Sequence, residues 1–168
     1  MSVFDELLAI KRFREGQAEL AVARQRQLYA RAEDAQAQAE DQLLKYKDWA
    51  RQRENDMYGD LCSRTVRVRE IEDVLAGVAD LRQGEQRQHE QVAAARKHVE
   101  READALAARR VDHRTASRMT EKFVELARMH LEAHLKELER KEDLEMEEAA
   151  SVARDREDWE SHEEYEPS

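Results

Sequence analysis

The feature that most constrains this chain is its lack of helix breakers. Its one proline is Pro167, next to the last residue, and four glycines are all that the 168 residues contain. Proline breaks a helix by removing a donor and clashing with the preceding turn. Tight turns draw heavily on glycine and proline. A packed α/β domain, which needs many turns, is therefore excluded, whereas nothing from Met1 to Glu166 forbids a helix. The composition agrees: 40% of residues are charged and 5% aromatic, and alanine, glutamate, glutamine, arginine and leucine favour helix. Such a balance predicts long helices or a coiled coil.

The pattern along the chain divides it into two arms. Ser2-Val3-Phe4-Asp5 has the form of a helix N-cap with an acid three residues on. A 3–4 spacing then runs through Ala18, Ala21, Gln25, Leu28, Ala32, Ala35, Ala39, Gln42, Tyr46 and Trp49, a heptad seam made mostly of small or polar residues. Breakers cluster only at residues 59–68, Gly-Asp-Leu-Cys-Ser-Arg-Thr-Val-Arg-Val. There Gly59 can take a left-handed conformation, and Ser63 and Thr65 favour caps and turns. The second seam reads Ile71, Val74, Val78, Leu81, Glu85, Gln88, Val92, Ala95, Val99, Glu102 and Leu106. It drifts on through Ala116, Phe123, Leu126, Leu131, Leu135 and Leu138 to Leu144. The expected fold is all-α: two long helices forming an antiparallel coiled-coil hairpin, with arm 1 over about 3–58, a bend over about 59–68 and arm 2 over about 69–152. Residues 153–168 are expected to be an acidic, disordered tail. A bend centred near residue 64 sets Tyr46 near Arg82 and Leu7 near Glu121, and leaves the second arm longer than the first. Gly77 and Gly84, one heptad apart, are expected to make room for Tyr46 and Trp49.

Charge narrows the function classes. The formal net charge is −10, and residues 139–168 hold 13 acids against four bases, so the excess belongs to the C-terminal stretch. Such a stretch repels phosphates, which argues against nucleic acid as the ligand. No apolar run approaches the roughly 18 residues of a spanning helix, so no membrane insertion is expected, and the N-terminus lacks the basic start and apolar run of a signal peptide. Lone Cys62 fits a reducing compartment. Of the candidates for chemistry, His130 and His134 share a helical face but are too few for a closed zinc site, and Cys62 has no base beside it in the sequence. Lys11-Arg12-Phe13-Arg14 is too short for a membrane-surface helix and reads as a protein contact. No pocket, metal or cofactor is expected, and no enzymatic activity.

The order of these features resembles a known family. The basic opening Lys11-Arg12-Phe13-Arg14 leads to Ala18-Glu19 and Arg24-Gln25-Arg26-Gln27. Tyr46 to Trp49 precede a bend with Tyr58 and Arg64-Thr65-Val66. Ile71, Leu75, Val78 and Leu81-Arg82 follow, and the arm closes on Glu121-Lys122-Phe123 and Arg140 to Glu148. Over about residues 4–151 this is similar to the type III secretion central-stalk family, the YscO/SctO proteins and their flagellar FliJ-type relatives. The resemblance implies a non-enzymatic, cytoplasmic injectisome component with a two-helix coiled coil like the gamma subunit of rotary ATPases. Its implied partners are the hexameric secretion ATPase at the end bearing the termini, the cytoplasmic ring of the export gate at the bend, and export chaperones. On that reading Leu7, Arg12, Arg14, Phe123, Leu131 and Leu135 meet the ATPase. Leu43, Tyr46, Ala50, Ile71, Leu75, Val78 and Arg82 match the family's gate-facing positions in spacing. The hairpin reading implies a monomer. A generic coiled-coil adaptor or tether, which would form dimers or higher oligomers, and an export chaperone are the competing readings.

Overall fold

The computed structural model describes residues 2–164. Within them the chain forms two helices, α1 (Val3–Cys62) and α2 (Val68–Glu163), and no strand. The expected all-α antiparallel hairpin is the observed fold. The start of α1 is built as its sequence demands. The Asp5 N–H donates to Ser2 Oγ at 3.2 Å, and the Ser2 N–H donates back to Asp5 Oδ2 at 3.2 Å, so the helix start is closed by a reciprocal pair. Asp5 and Glu6 in the first turn also suit the positive end of the helix dipole.

The turn is narrower than expected, residues 63–67 rather than 59–68. Gly59 lies inside α1, and no described residue has a positive φ. The reversal is therefore made without a left-handed glycine. Ser63 ends α1 by donating from Oγ to the Asp60 carbonyl at 2.9 Å. Arg64 reaches back to Asp60 Oδ2 (3.3 Å) and forward to Glu70 Oε1 (3.2 Å), tying the two helices across the turn. Glu70 in turn accepts the Arg67 N–H at 2.9 Å, which caps α2. These interactions hold the carboxyl of Glu70 below its ordinary value, the Arg67 amide first and the Arg64 guanidinium second.

Two compact units divide the chain, Gly16–Thr115 and the segments on either side of it. In the first, the core is a line of small and medium side chains: Val22, Ala32, Ala50, Val78, Val92 and Leu106. The α2 side of this seam follows the expected positions from Val74 to Leu106. The α1 side follows every second one. Ala18, Gln25, Ala32, Ala39 and Tyr46 face inward, but Val22, Tyr29, Gln36, Leu43 and Ala50 replace Ala21, Leu28, Ala35, Gln42 and Trp49 as the better covered members of each pair. Both phases are valid 3–4 spacings. The observed one seats Tyr46 against Gly84, where an added Cβ would meet the Tyr46 hydroxyl and ring. The Tyr46 hydroxyl donates to the Leu81 carbonyl at 2.8 Å. Trp49 lies on the flank, 54% exposed, with its ring tilted on that of Tyr46 at 5.7 Å. Gly77 faces the Met57 thioether instead of an aromatic ring. The expected pairing of glycines with aromatics thus holds for Tyr46 and Gly84, and not for Trp49 or Gly77.

Polar residues interrupt this core. Gln25 is buried and donates from Nε2 to the side chain and the backbone carbonyl of Glu102. Gln36 donates to Glu40 at 3.1 Å and Arg96 bonds it at 3.2 Å across the pair, and these two, Gln36 first, hold the Glu40 carboxyl below its ordinary value.

In the second unit, residues 3–15 of α1 lie antiparallel to α2 from Ala116 onward. Buried Thr120 has its hydroxyl 3.1 Å from the Ala116 carbonyl of its own helix and 3.3 Å from the Lys11 carbonyl across the pair. Ser117 donates to Glu15 at 2.9 Å. The Lys11 ammonium lies 5.3 Å over the Phe123 ring, and Phe4 packs on His130 with ring centroids 5.0 Å apart. Leu7, between Phe4 and Lys11, therefore sits about a turn further along α2 than Glu121. From Arg128 to Glu164 every residue is exposed. α2 does not end near residue 152 but runs to Glu163, since nothing between the two breaks it; residues 165–168 of the expected disordered tail lie outside the described ones.

Candidate functional site

The residues expected to contact partners fall into two sets, each within one unit. The set of the terminal unit surrounds the pairing of residues 3–15 with α2. Leu7 and Phe123 are half-buried between the helices, whereas Arg12, Arg14, Leu131 and Leu135 are exposed. Leu131 and Leu135 stand 57% and 50% exposed on the stretch of α2 just past His130. Beside them an open groove is lined by Asp5, Ala127, Arg128, His130, Leu131 and His134. Phe13 belongs to the stretch Lys11-Arg12-Phe13-Arg14 read as a protein contact but not to the six residues assigned to the ATPase, and it projects between Arg12 and Arg14 at 67% exposure. A 3–4 seam through Leu8, Lys11 and Glu15 leaves position 13 on the outer face. Apolar rings flanked by guanidinium groups are common in protein contacts, because the ring supplies area and the charges supply orientation.

The set near the turn divides by burial. Ala50 and Val78 are core, and Leu43 and Tyr46 are half-buried in the seam. Ile71, Leu75 and Arg82 are exposed, and Arg82 lies 3.7 Å from Glu54 of α1. Of the seven residues, these last three form the surface that another protein could touch without separating the helices. Leu44, 62% exposed beside Leu43, joins the outer apolar surface of this unit and was missed because the seam positions drew the reading inward.

What such surfaces can do is bind. Among the described residues no group of three or more His, Cys, Asp or Glu is placed to hold a metal ion. None of the described helices is long and apolar enough to cross a membrane. Exposed apolar residues in lines along a helix, bordered by charge, fit the faces of other helices.

Comparison with known proteins decides the family. The family model of the type III secretion protein YscO matches residues 4–152. The chain belongs to the YscO family. A crystal structure of the type III secretion protein YscO from Vibrio parahaemolyticus is similar to it, with a TM-score of 0.82 and 28% identity over 86% of this chain and 91% of that one. A candidate YscO homologue from Chlamydia trachomatis shares the fold, with a TM-score of 0.51 and 22% identity over 98% of both chains. Among curated proteins a search finds no match. YscO membership makes this chain a type III secretion protein, in agreement with the resemblance carried by its residues.

Proposed function

We propose that this YscO-family chain is a non-enzymatic central stalk at the cytoplasmic face of a type III secretion apparatus, joining the hexameric secretion ATPase to the export gate and handling export chaperones. The observation that carries the reading is the match of the YscO model to residues 4–152, on a chain whose paired helices expose Arg12, Arg14, Leu131 and Leu135 in one unit and Ile71, Leu75 and Arg82 in the other. The terminal set, with Leu7, Arg12, Arg14, Phe123, Leu131 and Leu135, is assigned to the ATPase. The set near the turn is assigned to the gate, with Ile71, Leu75 and Arg82 as its outer contacts and Leu43, Tyr46, Ala50 and Val78 supporting them from the seam.

A stalk in a ring of identical subunits must do more than bind. One chain cannot satisfy six equivalent sites in the same way, so it favours some subunit states over others. It shifts those states only by the difference in its affinity for them. The test is co-purification with the secretion ATPase and with the cytoplasmic domain of the gate, alongside ATP hydrolysis with and without the chain. Arg12→Glu together with Arg14→Glu should abolish stimulation of hydrolysis and leave gate binding intact. Leu75→Asp should do the reverse. Unchanged stimulation in the arginine variant would remove the ATPase assignment.

A further inference from the structure

The face that α2 turns toward α1 does not stop where α1 stops. Its 3–4 spacing runs through Thr120, Phe123 and Ala127, and carries on through Leu131, Leu135 and Leu138 to Trp159 without a change of helix. α1 begins at Val3, and Phe4 already meets His130. Among the described residues the later part of the face is therefore a coiled-coil seam with no second helix on it. Val152 and Trp159 are 55% and 73% exposed. A helix stabilised only by its own side-chain pairs, such as Arg140 with Glu137 at 3.0 Å, gains little from each of them. Most helical stability in proteins comes from packing, which this stretch lacks among the described residues.

We propose that the face bearing Leu138, Glu142, Glu145, Ala149, Val152 and Trp159 is the docking seam for a partner helix that places lysine or arginine opposite the two glutamates. Charge selects this occupant. Residues 139–164 carry twelve acids and four bases; Glu142 and Glu145 stand in the seam itself, and Arg156, between Val152 and Trp159, is the one base there. A second copy of the same stretch would oppose a net charge of −8 with another of −8, whereas a basic helix would pair with it. Acids at seam positions weaken a coiled coil unless a complementary charge meets them, and then they select the partner. The face extends past residue 152, where the match to the family model ends. The proposal thus concerns a partner beyond the stalk reading, and it stands or falls without it.

The test uses the full chain with Trp49→Phe, so that Trp159 is the sole indole. The probe is a synthetic amphipathic peptide with leucines at 3–4 spacing and lysines beside them. It is compared with a glutamate version and with a scramble of the same composition. Only the lysine peptide should bind saturably and shift Trp159 emission to the blue, with an affinity that falls as salt rises. Glu142→Lys with Glu145→Lys should weaken binding about tenfold or more. Far-UV circular dichroism checks that this variant keeps its helix. If it does not, Glu142→Gln with Glu145→Gln takes its place and should weaken binding in the same direction. Equal binding of the scramble would reduce the effect to bulk charge, and equal binding of the glutamate peptide would remove the charge selection. No emission shift would place the contact elsewhere. Self-association of the chain alone that Val152→Asp abolishes would make a second copy the occupant. Each of these four results overturns the proposal.

Discussion

At Gly84 the absence of one methyl group fixes how the helices of the Gly16–Thr115 unit meet. The Tyr46 ring fills the space a Cβ would occupy, and its hydroxyl is held by the Leu81 carbonyl. Alanine is worth about 1 kcal/mol over glycine inside a helix, yet at position 84 it must expel an anchored ring. Gly84→Ala is therefore expected to lower stability by about 1–3 kcal/mol. Gly77→Ala should do the opposite, because its Cβ would lie 3.4 Å from the flexible end of Met57, and should stabilise by up to about 1 kcal/mol. Thermal unfolding of the two variants side by side checks both signs. A second residue-scale prediction concerns Glu70, whose carboxyl is held below its ordinary value by the Arg67 amide and Arg64. A carboxyl depressed in the folded state stabilises fully above its ordinary value, and that contribution disappears as the pH falls through the lowered one. Protection of the amides at residues 67–71, taken relative to their intrinsic exchange at each pH, should thus fall in acid and be steady near neutrality. Glu70→Gln should flatten the dependence; an unchanged pH profile in that variant would assign the cap to another group.

For the helices as elements, the two seams were not equally legible. On α2 the branched and long apolar residues Val74, Val78, Leu81, Val92, Val99 and Leu106 mark one face, and any other phase would leave them in water. On α1 the same spacing passes mostly through alanine and glutamine, so two phases bury similar area. Leu28 and Trp49 draw a reading by hydrophobicity to the flank, while Tyr29 and Ala50 take the covered positions. What chooses the phase is the notch at Gly84 on the other helix, a long-range fact that no local pattern on α1 contains. The turn failed for a related reason. Gly59 looks like a terminator, but the helix ends where Ser63 and Arg64 can bond Asp60 and Glu70. Of the candidate site, charge and exposed leucines were visible in the sequence, whereas the split between core and surface among the seven residues near the turn was not. The seam makes a matched prediction. Leu106→Ala, at a buried position, should cost about 2–4 kcal/mol. Leu28→Ala, 44% exposed, should cost less than about 1 kcal/mol. Equal costs in denaturant titrations would restore the other phase.

For the molecule as a whole, each helix finds its partner within the chain over most of α1, so the chain alone is expected to behave as a monomer of 19.7 kDa. Light scattering checks this, and a dimeric mass would favour a tether over a stalk. The two polar clasps, Gln25 on Glu102 and Tyr46 on Leu81, carry a different implication. Tyr46 stands twenty-one positions after Gln25, and Glu102 twenty-one after Leu81. Insertion of seven residues between the clasps on one side alone would leave one of them unable to close. Relatives of different length can then keep both only by growing or shrinking in step, a heptad at a time on each side, as a ladder lengthens by whole rungs.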